Sequence, residues 1–341
     1  MMQPLVYFPP NSEGFSYMGR FDASAQTEYT TSFPNGTIAF SVDSRIVEAL
    51  FYDYAYDASQ PNYIEVYIND SVYKTIKLSA EKKSYMIFSS AEKKMREFKL
   101  VKRTEGQVGN IGFAGIKVEK KSSFERVEFP SKKVLFVGNS ITCGYGNEAE
   151  QAEAAFCSST QNASMSFAAI AARELNASFH TIAFSGKGMS RNYGDTVFLQ
   201  DCIPDVFLRT LAMKPSAHWN HNNFVPDVIV INIGTNDFSP PIGINQKIYV
   251  QQFTQFLDFL HKTYTHSDIV LLVSQMLSGA DRDLQKNLLL KIKENSQQNN
   301  QVHVFELSEQ GSLGYGADWH PNIAQHKKNA QELVEFLQHV L

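Results

Sequence analysis

Two periodicities divide this chain. Up to about Pro130, apolar and polar residues alternate with the period of a half-buried strand. Thr37–Asp43, Tyr63–Asn69, Val72–Leu78 and Ile111–Val118 follow that pattern or nearly so, and they are rich in β-branched and aromatic residues. Turn signals at Pro34-Asn35-Gly36, Asn69-Asp70 and Gly109-Asn110 separate them. Short strands punctuated this way predict a β-sandwich over residues 1–130. Glu92–Leu100 suits either a brief helix or a further strand. Tyr52, Tyr54 and Tyr56 would fall on one face and could contact a sugar, although ordinary packing is the commoner reason for such a row. The polar run Lys120–Lys133, which contains Pro130, marks the junction between the two periodicities.

From Ser131 to Leu341 the pattern changes. Short, nearly all-apolar runs at Lys133–Val137, Ser178–Phe184, Asp227–Ile233, Asp268–Ser274 and Gln301–Leu307 read as strands covered on both faces. Between and after them lie helical stretches at Ser164–Leu175, Gln246–Tyr264, Asp281–Asn299 and Ile323–Val340. In the second of these, Phe253, Phe256, Leu257 and Leu260 recur at helical spacing. Strand and helix in alternation predict an α/β domain with a parallel sheet and right-handed crossovers.

Composition narrows the function classes. Hydrophobic residues at 43% and charged residues at 19% describe a globular chain able to bury a sizeable core. The formal net charge is −4 with both signs well mixed, so no basic stripe supports a nucleic-acid partner. No apolar run reaches the roughly 18 residues of a membrane helix. Met1–Pro10 has neither a basic start nor a long apolar run. It therefore does not read as a signal peptide, which fits a cytoplasmic protein or an exported one whose leader lies outside this chain. Cys143, Cys157 and Cys202 are an odd number without zinc-type spacing. A Cys157–Cys202 bridge in an exported protein and free core thiols both fit. His218 and His221 share one loop without an acidic or cysteine partner, and no phosphate-binding glycine loop is present, so no metal or other cofactor is expected.

The chemistry collects in four loops after strands: Gly138–Thr142, Ser185–Asn192, Gly234–Asp237 and Gly314–Asn322. A βα fold brings such loops to one sheet edge, where ligands bind. There a serine, glycine N–H donors, an asparagine amide and an Asp/His pair would meet, the set that acyl transfer requires. Ser140 is the candidate nucleophile and His320 its base. Taken alone, Ser140 could equally be a helix cap.

Gly138-Asn-Ser-Ile-Thr142, Ser185-Gly-Lys-Gly188, Gly234-Thr-Asn-Asp237 and Asp318-Trp-His-Pro321 resemble, in order, the four sequence blocks of SGNH (GDSL-type) hydrolases. The longer runs Asn139–Gly146, Pro226–Asp237 and Ala317–Pro321, with the opening Tyr17–Asp22, resemble carbohydrate esterase family 2. That resemblance implies a jelly-roll sandwich over residues 1–130 and a three-layer, flavodoxin-like α/β/α hydrolase domain over 131–341. It also implies a serine esterase that removes O-acetyl groups from polysaccharides such as xylan and glucomannan. The alternatives are a family member with another acyl substrate (a lipid ester, a thioester or acetylated sialic acid) and a carbohydrate-binding protein with a vestigial site.

By the same resemblance Ser140 N–H, Gly186 N–H and the Asn236 side chain form an oxyanion hole, with Gly188 as the substitute if Gly186 serves only the turn. Asp318 is the expected partner of the His320 ring. It stands two residues before the histidine, where the superfamily usually has three, and a backbone carbonyl takes over in some members. Asn139 departs too, since the family usually has Asp there. An amide keeps the hydrogen-bond acceptor but not the charge. Trp319, Trp219 and Arg191 are candidate substrate contacts, with packing as the plain alternative for each tryptophan and bracing of the second loop for the arginine.

Overall fold

A computed structural model describes residues 4–341; the first three residues of the segment read above against a leader lie outside it. The alternating first part forms β1 (Leu5–Phe8), β2 (Ser16–Met18), β3 (Asp22–Ala25), β4 (Glu28–Thr31), β5 (Thr37–Asp43), β6 (Ile46–Ala55), β7 (Tyr63–Ile68), β8 (Ser71–Lys77), β9 (Ser84–Ser89), β10 (Met95–Lys102), β11 (Gly109–Glu119) and β12 (Phe124–Glu125). One sheet runs β3-β4-β11-β6-β9 with β1 also on β11, and the other runs β12-β5-β10-β7-β8 with β2 also on β5. The pairing is antiparallel in both. The ambiguous Glu92–Leu100 stretch resolves in favour of strand, as most of it enters β10.

Alternation decides what these strands bury. Phe40 and Phe98 from one sheet and Phe51 and Phe113 from the other share a single core. Phe15 wedges between them, edge-on to Phe40 at 5.5 Å and to Phe113 at 5.2 Å between ring centroids. Tyr54 and Tyr56 are exposed, and the Tyr54 hydroxyl donates to Glu28 Oε2 at 2.9 Å.

The second part is β13 (Lys133–Gly138), α1 (Ser140–Cys143), α2 (Phe167–Glu174), β14 (Ser178–Ala183), α3 (Ile203–Phe207), β15 (Val228–Asn232), α4 (Gln246–Thr263), β16 (Asp268–Val273), α5 (Gly279–Asn295), β17 (Val302–Glu306) and α6 (Ile323–Leu337). Its sheet runs β14-β13-β15-β16-β17, parallel throughout. This is the flavodoxin-like order, with its switch point at the first strand. Right-handed crossovers leave β13 in opposite directions, which puts α2 and α6 on one face and α4 and α5 on the other. The two packed helix pairs match that division. Register then places the ends of three strands together: Gly138 pairs with Ala183 of β14 and with Asn232 of β15. The loops that follow β13, β14 and β15 therefore start side by side.

The chain packs as two units: residues up to Phe129 together with Cys157–Ser159, and Pro130–Phe156 together with Thr160–Leu341. All three cysteines are free thiols. Cys202 is buried, and that burial raises its thiol to about 12. No helix is long and apolar enough to cross a membrane among the described residues.

The α2–α6 contact carries a buried histidine. Phe167 N–H donates to His326 Nδ1 at 3.1 Å, and the two rings lie nearly parallel at 11°. Burial, with the neighbouring His320 adding repulsion, pushes His326 down to about 3. Unfolded histidine titrates near about 6.5. The folded state therefore refuses a proton that the unfolded chain accepts. The resulting stability is fully present above pH ~6.5 and is lost as pH falls toward the folded value. Unfolding measured from pH 7 to 4 should show wild type losing stability more steeply than His326→Gln, by at most about 1.4 kcal/mol per pH unit. Equal slopes would contradict this placement.

Candidate active site

Gly138 ends β13 and permits a close turn, since a Cβ there would sit 1.9 Å from Thr142 Oγ1. Asn139 then caps α1: its backbone is extended and its Oδ1 accepts Ile141 N–H at 3.1 Å. Capping uses only the carbonyl oxygen, so an amide serves where the family usually has Asp. The Asn139 Nδ2 is buried without a hydrogen-bond partner among the described residues. Because Asn139 is the cap, Ser140 is not. The Ser140 hydroxyl meets His320 Nε2 at 2.8 Å.

His320 Nδ1 lies 3.1 Å from Ala317 O and 3.1 Å from Asp318 O. Carbonyl oxygens only accept, so Nδ1 carries the proton and Nε2 is left to accept from Ser140. Burial holds the imidazole below its ordinary value, opposed by the two carbonyl hydrogen bonds and the nearby Asp318 charge.

The expected contact between the Asp318 carboxylate and His320 is not made. Asp318 (φ 47°, ψ 41°) and Trp319 (φ 59°) both adopt the left-handed conformation. That backbone turns the Ala317 and Asp318 carbonyls inward and swings the carboxylate away. Asp318 Oδ2 instead accepts Tyr145 O–H at 2.7 Å and Phe156 N–H at 3.1 Å. Asp318 reaches His320 through its peptide oxygen.

The second and third loops are welded together. The fully buried Asp237 carboxylate accepts the N–H groups of Met189, Ser190 and Arg191 and the Ser190 hydroxyl at 2.7–3.0 Å. Burial raises its pKa above the ordinary carboxylate value, against the lowering pull of these four donors. Of the two roles open to Arg191, substrate contact and loop brace, the structure favours the second, since its side chain is fully buried. Its guanidinium donates to Asp195 O at 2.7 Å, to Asp237 O at 2.9 Å and to Ser239 O. Five donors in a rigid fork suit it to bind several carbonyls at once. Its role is to brace both loops.

These loops set the expected oxyanion donors. Asn236 Nδ2 donates to Lys187 O at 2.8 Å, which leaves its second N–H available. Gly186 has φ 77°, and open space lies where its Cβ would be. The Gly186 and Ser140 N–H groups meet no acceptor among the described residues. The substitute, Gly188, already gives its N–H to Asn192 Oδ1 at 3.3 Å. A Cβ at Gly188 would strike Arg191 O at 2.0 Å, so close packing requires this glycine.

The tryptophans separate. Trp319 is 52% exposed next to His320, with its ring edge-on to Tyr315. Trp219 lies edge-on to His180 in the middle of β14, away from the carboxyl ends of the strands. Two residues escaped the sequence reading. Asp237 stood there only as the last residue of the third loop. Tyr145 sat unremarked between Gly144 and Gly146, and an aromatic side chain in a glycine run beside the nucleophile was the available signal.

Comparison with known proteins bears on the family of the chain. The GDSL-like Lipase/Acylhydrolase family model matches residues 136–328, and the Carbohydrate esterase 2 N-terminal model matches residues 17–126. The chain is 31% identical over 331 residues to the cellulase/esterase CelE of Acetivibrio thermocellus, covering 95% of this chain but only 39% of that protein. It is 26% identical over 328 residues to an acetylxylan esterase/glucomannan deacetylase of Cellvibrio japonicus, covering 95% and 88% of the two chains. A solved family two carbohydrate esterase from Clostridium thermocellum, in complex with cellohexaose, superimposes with a TM-score of 0.89 at 28% identity over 96% of this chain and 98% of that one. The resemblance read from the four blocks is thereby borne out. The chain belongs to the GDSL-like lipase/acylhydrolase family, among the family 2 carbohydrate esterases.

Proposed function

We propose that this protein is a serine esterase that removes O-acetyl groups from plant polysaccharides such as xylan and glucomannan through an acetyl-enzyme. The observation that carries this reading is the 2.8 Å contact of Ser140 Oγ with a His320 whose other nitrogen is held by two carbonyls. The names of the Cellvibrio relative and of the Clostridium complex with cellohexaose support a carbohydrate substrate. The exposed Trp319 ring beside His320 offers an apolar face for a sugar ring.

In the first half-reaction His320 Nε2 takes the Ser140 proton while Oγ attacks the acetyl carbonyl carbon. Negative charge moves onto the carbonyl oxygen, where Ser140 N–H, Gly186 N–H and the Asn236 amide would stabilise it. Each such donor is typically worth about 3 to 4 kcal/mol. Collapse of the tetrahedral species breaks the bond to the sugar oxygen, which takes the proton from His320. In the second half-reaction His320 deprotonates water, which attacks the acetyl-serine. Collapse breaks the bond to Ser140 Oγ, which takes the proton back from His320, and acetate leaves.

The two departures from the family pattern leave this pair intact. Asn139 still caps α1, and His320 is oriented without a carboxylate. Both facts argue against a vestigial site.

Ser140→Ala should lower hydrolysis of p-nitrophenyl acetate and acetate release from acetylated xylan and glucomannan by at least about a thousandfold. Unchanged rates would overturn the assignment. Acetyl esters should be cleaved faster than butyryl and longer ones; the reverse order would favour a lipid or other acyl substrate. Since burial holds His320 below its ordinary value, the general base stays neutral into mildly acidic solution. The acid limb of kcat/KM should have its midpoint below about 6.5. A midpoint above that value would contradict the placement of His320.

A further inference from the structure

Tyr145 follows Ser140 by five residues and touches both the base and the turn that carries it. Its ring lies against the His320 imidazole, with centroids 4.2 Å apart and planes at 30°. Its hydroxyl donates to Asp318 Oδ2 at 2.7 Å. Phe156 lies on the Tyr145 ring at 4.5 Å between centroids, and its backbone N–H donates to the same Oδ2 at 3.1 Å. Asp318 is otherwise exposed.

The turn that these groups hold is strained. Consecutive left-handed conformations at Asp318 and Trp319 are ones that L-residues avoid, so they persist only where the surroundings impose them. Backbone bonds supply part of that constraint: Ala317 N–H to Gly146 O, Asp318 N–H to Ala154 O and Trp319 N–H to Ala152 O, each at 3.0 Å. The Asp318 carboxylate supplies the rest through Tyr145 and Phe156. If the turn relaxes, the two carbonyls leave His320 Nδ1, and the imidazole loses both its tautomer and its aim at Ser140.

We propose that Tyr145 and Asp318 form a latch that positions His320. The Tyr145 hydroxyl ties down the carboxylate that keeps the turn left-handed, and the Tyr145 ring walls one face of the imidazole. Asp318 acts by geometry and not as the ionic partner of His320. This rests on the Ser140–His320 reading above.

The latch makes an unusual demand on substitutions, because both hydrogen bonds end on one oxygen of Asp318. Asparagine can present its Oδ1 at that place and accept both, whereas alanine accepts neither. Phenylalanine at 145 keeps the wall and loses the tie.

The test is steady-state kinetics on p-nitrophenyl acetate for Tyr145→Phe, Asp318→Ala, Asp318→Asn, Ser140→Ala and the Tyr145→Phe/Asp318→Ala double variant. Imidazole nitrogen NMR of His320 runs alongside. Tyr145→Phe and Asp318→Ala should each lower kcat by about tenfold or more, with KM within about twofold. Asp318→Asn should recover most of the kcat that Asp318→Ala loses. The double variant should be no worse than the poorer single one, because both remove one latch. In the impaired variants the His320 Nδ1–H tautomer should lose population.

An Asp318→Asn enzyme as poor as Asp318→Ala would overturn the latch, since the charge itself would then matter. A raised KM at unchanged kcat in Tyr145→Phe would overturn it too, by making Tyr145 a substrate contact. Full rates in Tyr145→Phe and Asp318→Ala beside an inactive Ser140→Ala would sink the latch and leave the esterase reading standing. An active Ser140→Ala would remove the foundation of both.

Discussion

The imidazole of His320 is held at both ends, and the rest of the site depends on that. At one end Nε2 accepts from Ser140 Oγ; at the other Nδ1 donates to two peptide carbonyls. A neutral hydrogen bond is worth about 0.5–1.5 kcal/mol net, and one to a charged group about 1.5–3. Two carbonyls therefore approach what one carboxylate would give, without an ionised group in contact with the ring. They also fix the tautomer, which matters more. A histidine with its proton on the wrong nitrogen cannot take one from serine. The backbone strain in Asp318 and Trp319 costs on the order of 1–3 kcal/mol per residue. Hydrogen bonds from Gly316, Ala317, Asp318 and Trp319 N–H groups to fixed carbonyls offset it.

A second constraint lies on the other side of the serine. Donors that stabilise an oxyanion must be in place before charge develops, because moving them during the reaction costs the energy they would supply. Here the loops after β14 and β15 share Asp237 and Arg191, both buried. A charged group in the interior is tolerable only when its hydrogen-bonding capacity is met. Asp237 meets it with four donors from the second loop, and Arg191 meets most of it with carbonyls from both loops, its Nε being left without a partner among the described residues. Neither contributes a reacting atom. Together they fix the places of Gly186 and Asn236.

Much of this was legible before any coordinates. Short, β-branched apolar runs such as Val134–Val137 and Val228–Ile231 read as strands buried on both faces. Alternating with helices, they require a parallel sheet whose loops share one edge. The meeting of Ser140 with His320, 180 residues apart in the chain, follows from that topology. Legibility failed where a side chain's direction was set by backbone dihedrals or by burial. Asp318 sits at a spacing that suits a triad, yet two left-handed residues turn its carboxylate outward, and nothing in Asp-Trp-His announces a positive φ. Arg191 read as either a substrate contact or a brace of the second loop, because the residue that decides between them is remote in sequence. Its burial comes from Asp237, 46 residues away. In the sandwich, β6 and β9 escaped notice because apolar residues on their outward faces, Leu50, Tyr52 and Tyr54 in β6 and Met86 in β9, blur the alternation.

Asn139 was the expected weak point, and the structure makes its accommodation concrete. The cap needs an acceptor and has one. The substitution leaves a buried amide nitrogen unpaired, a cost of about 1–3 kcal/mol in such settings. That cost falls on stability, beside a serine whose contact with His320 is intact. The central claim is that Ser140 itself carries the acyl group between two half-reactions. The most direct measurement is acid quenching during turnover of p-nitrophenyl acetate, followed by peptide mass mapping. The account predicts an acetyl group on Ser140, absent when His320 is replaced by alanine. An unmodified Ser140 during steady turnover, or acetyl found only on other residues, would contradict it.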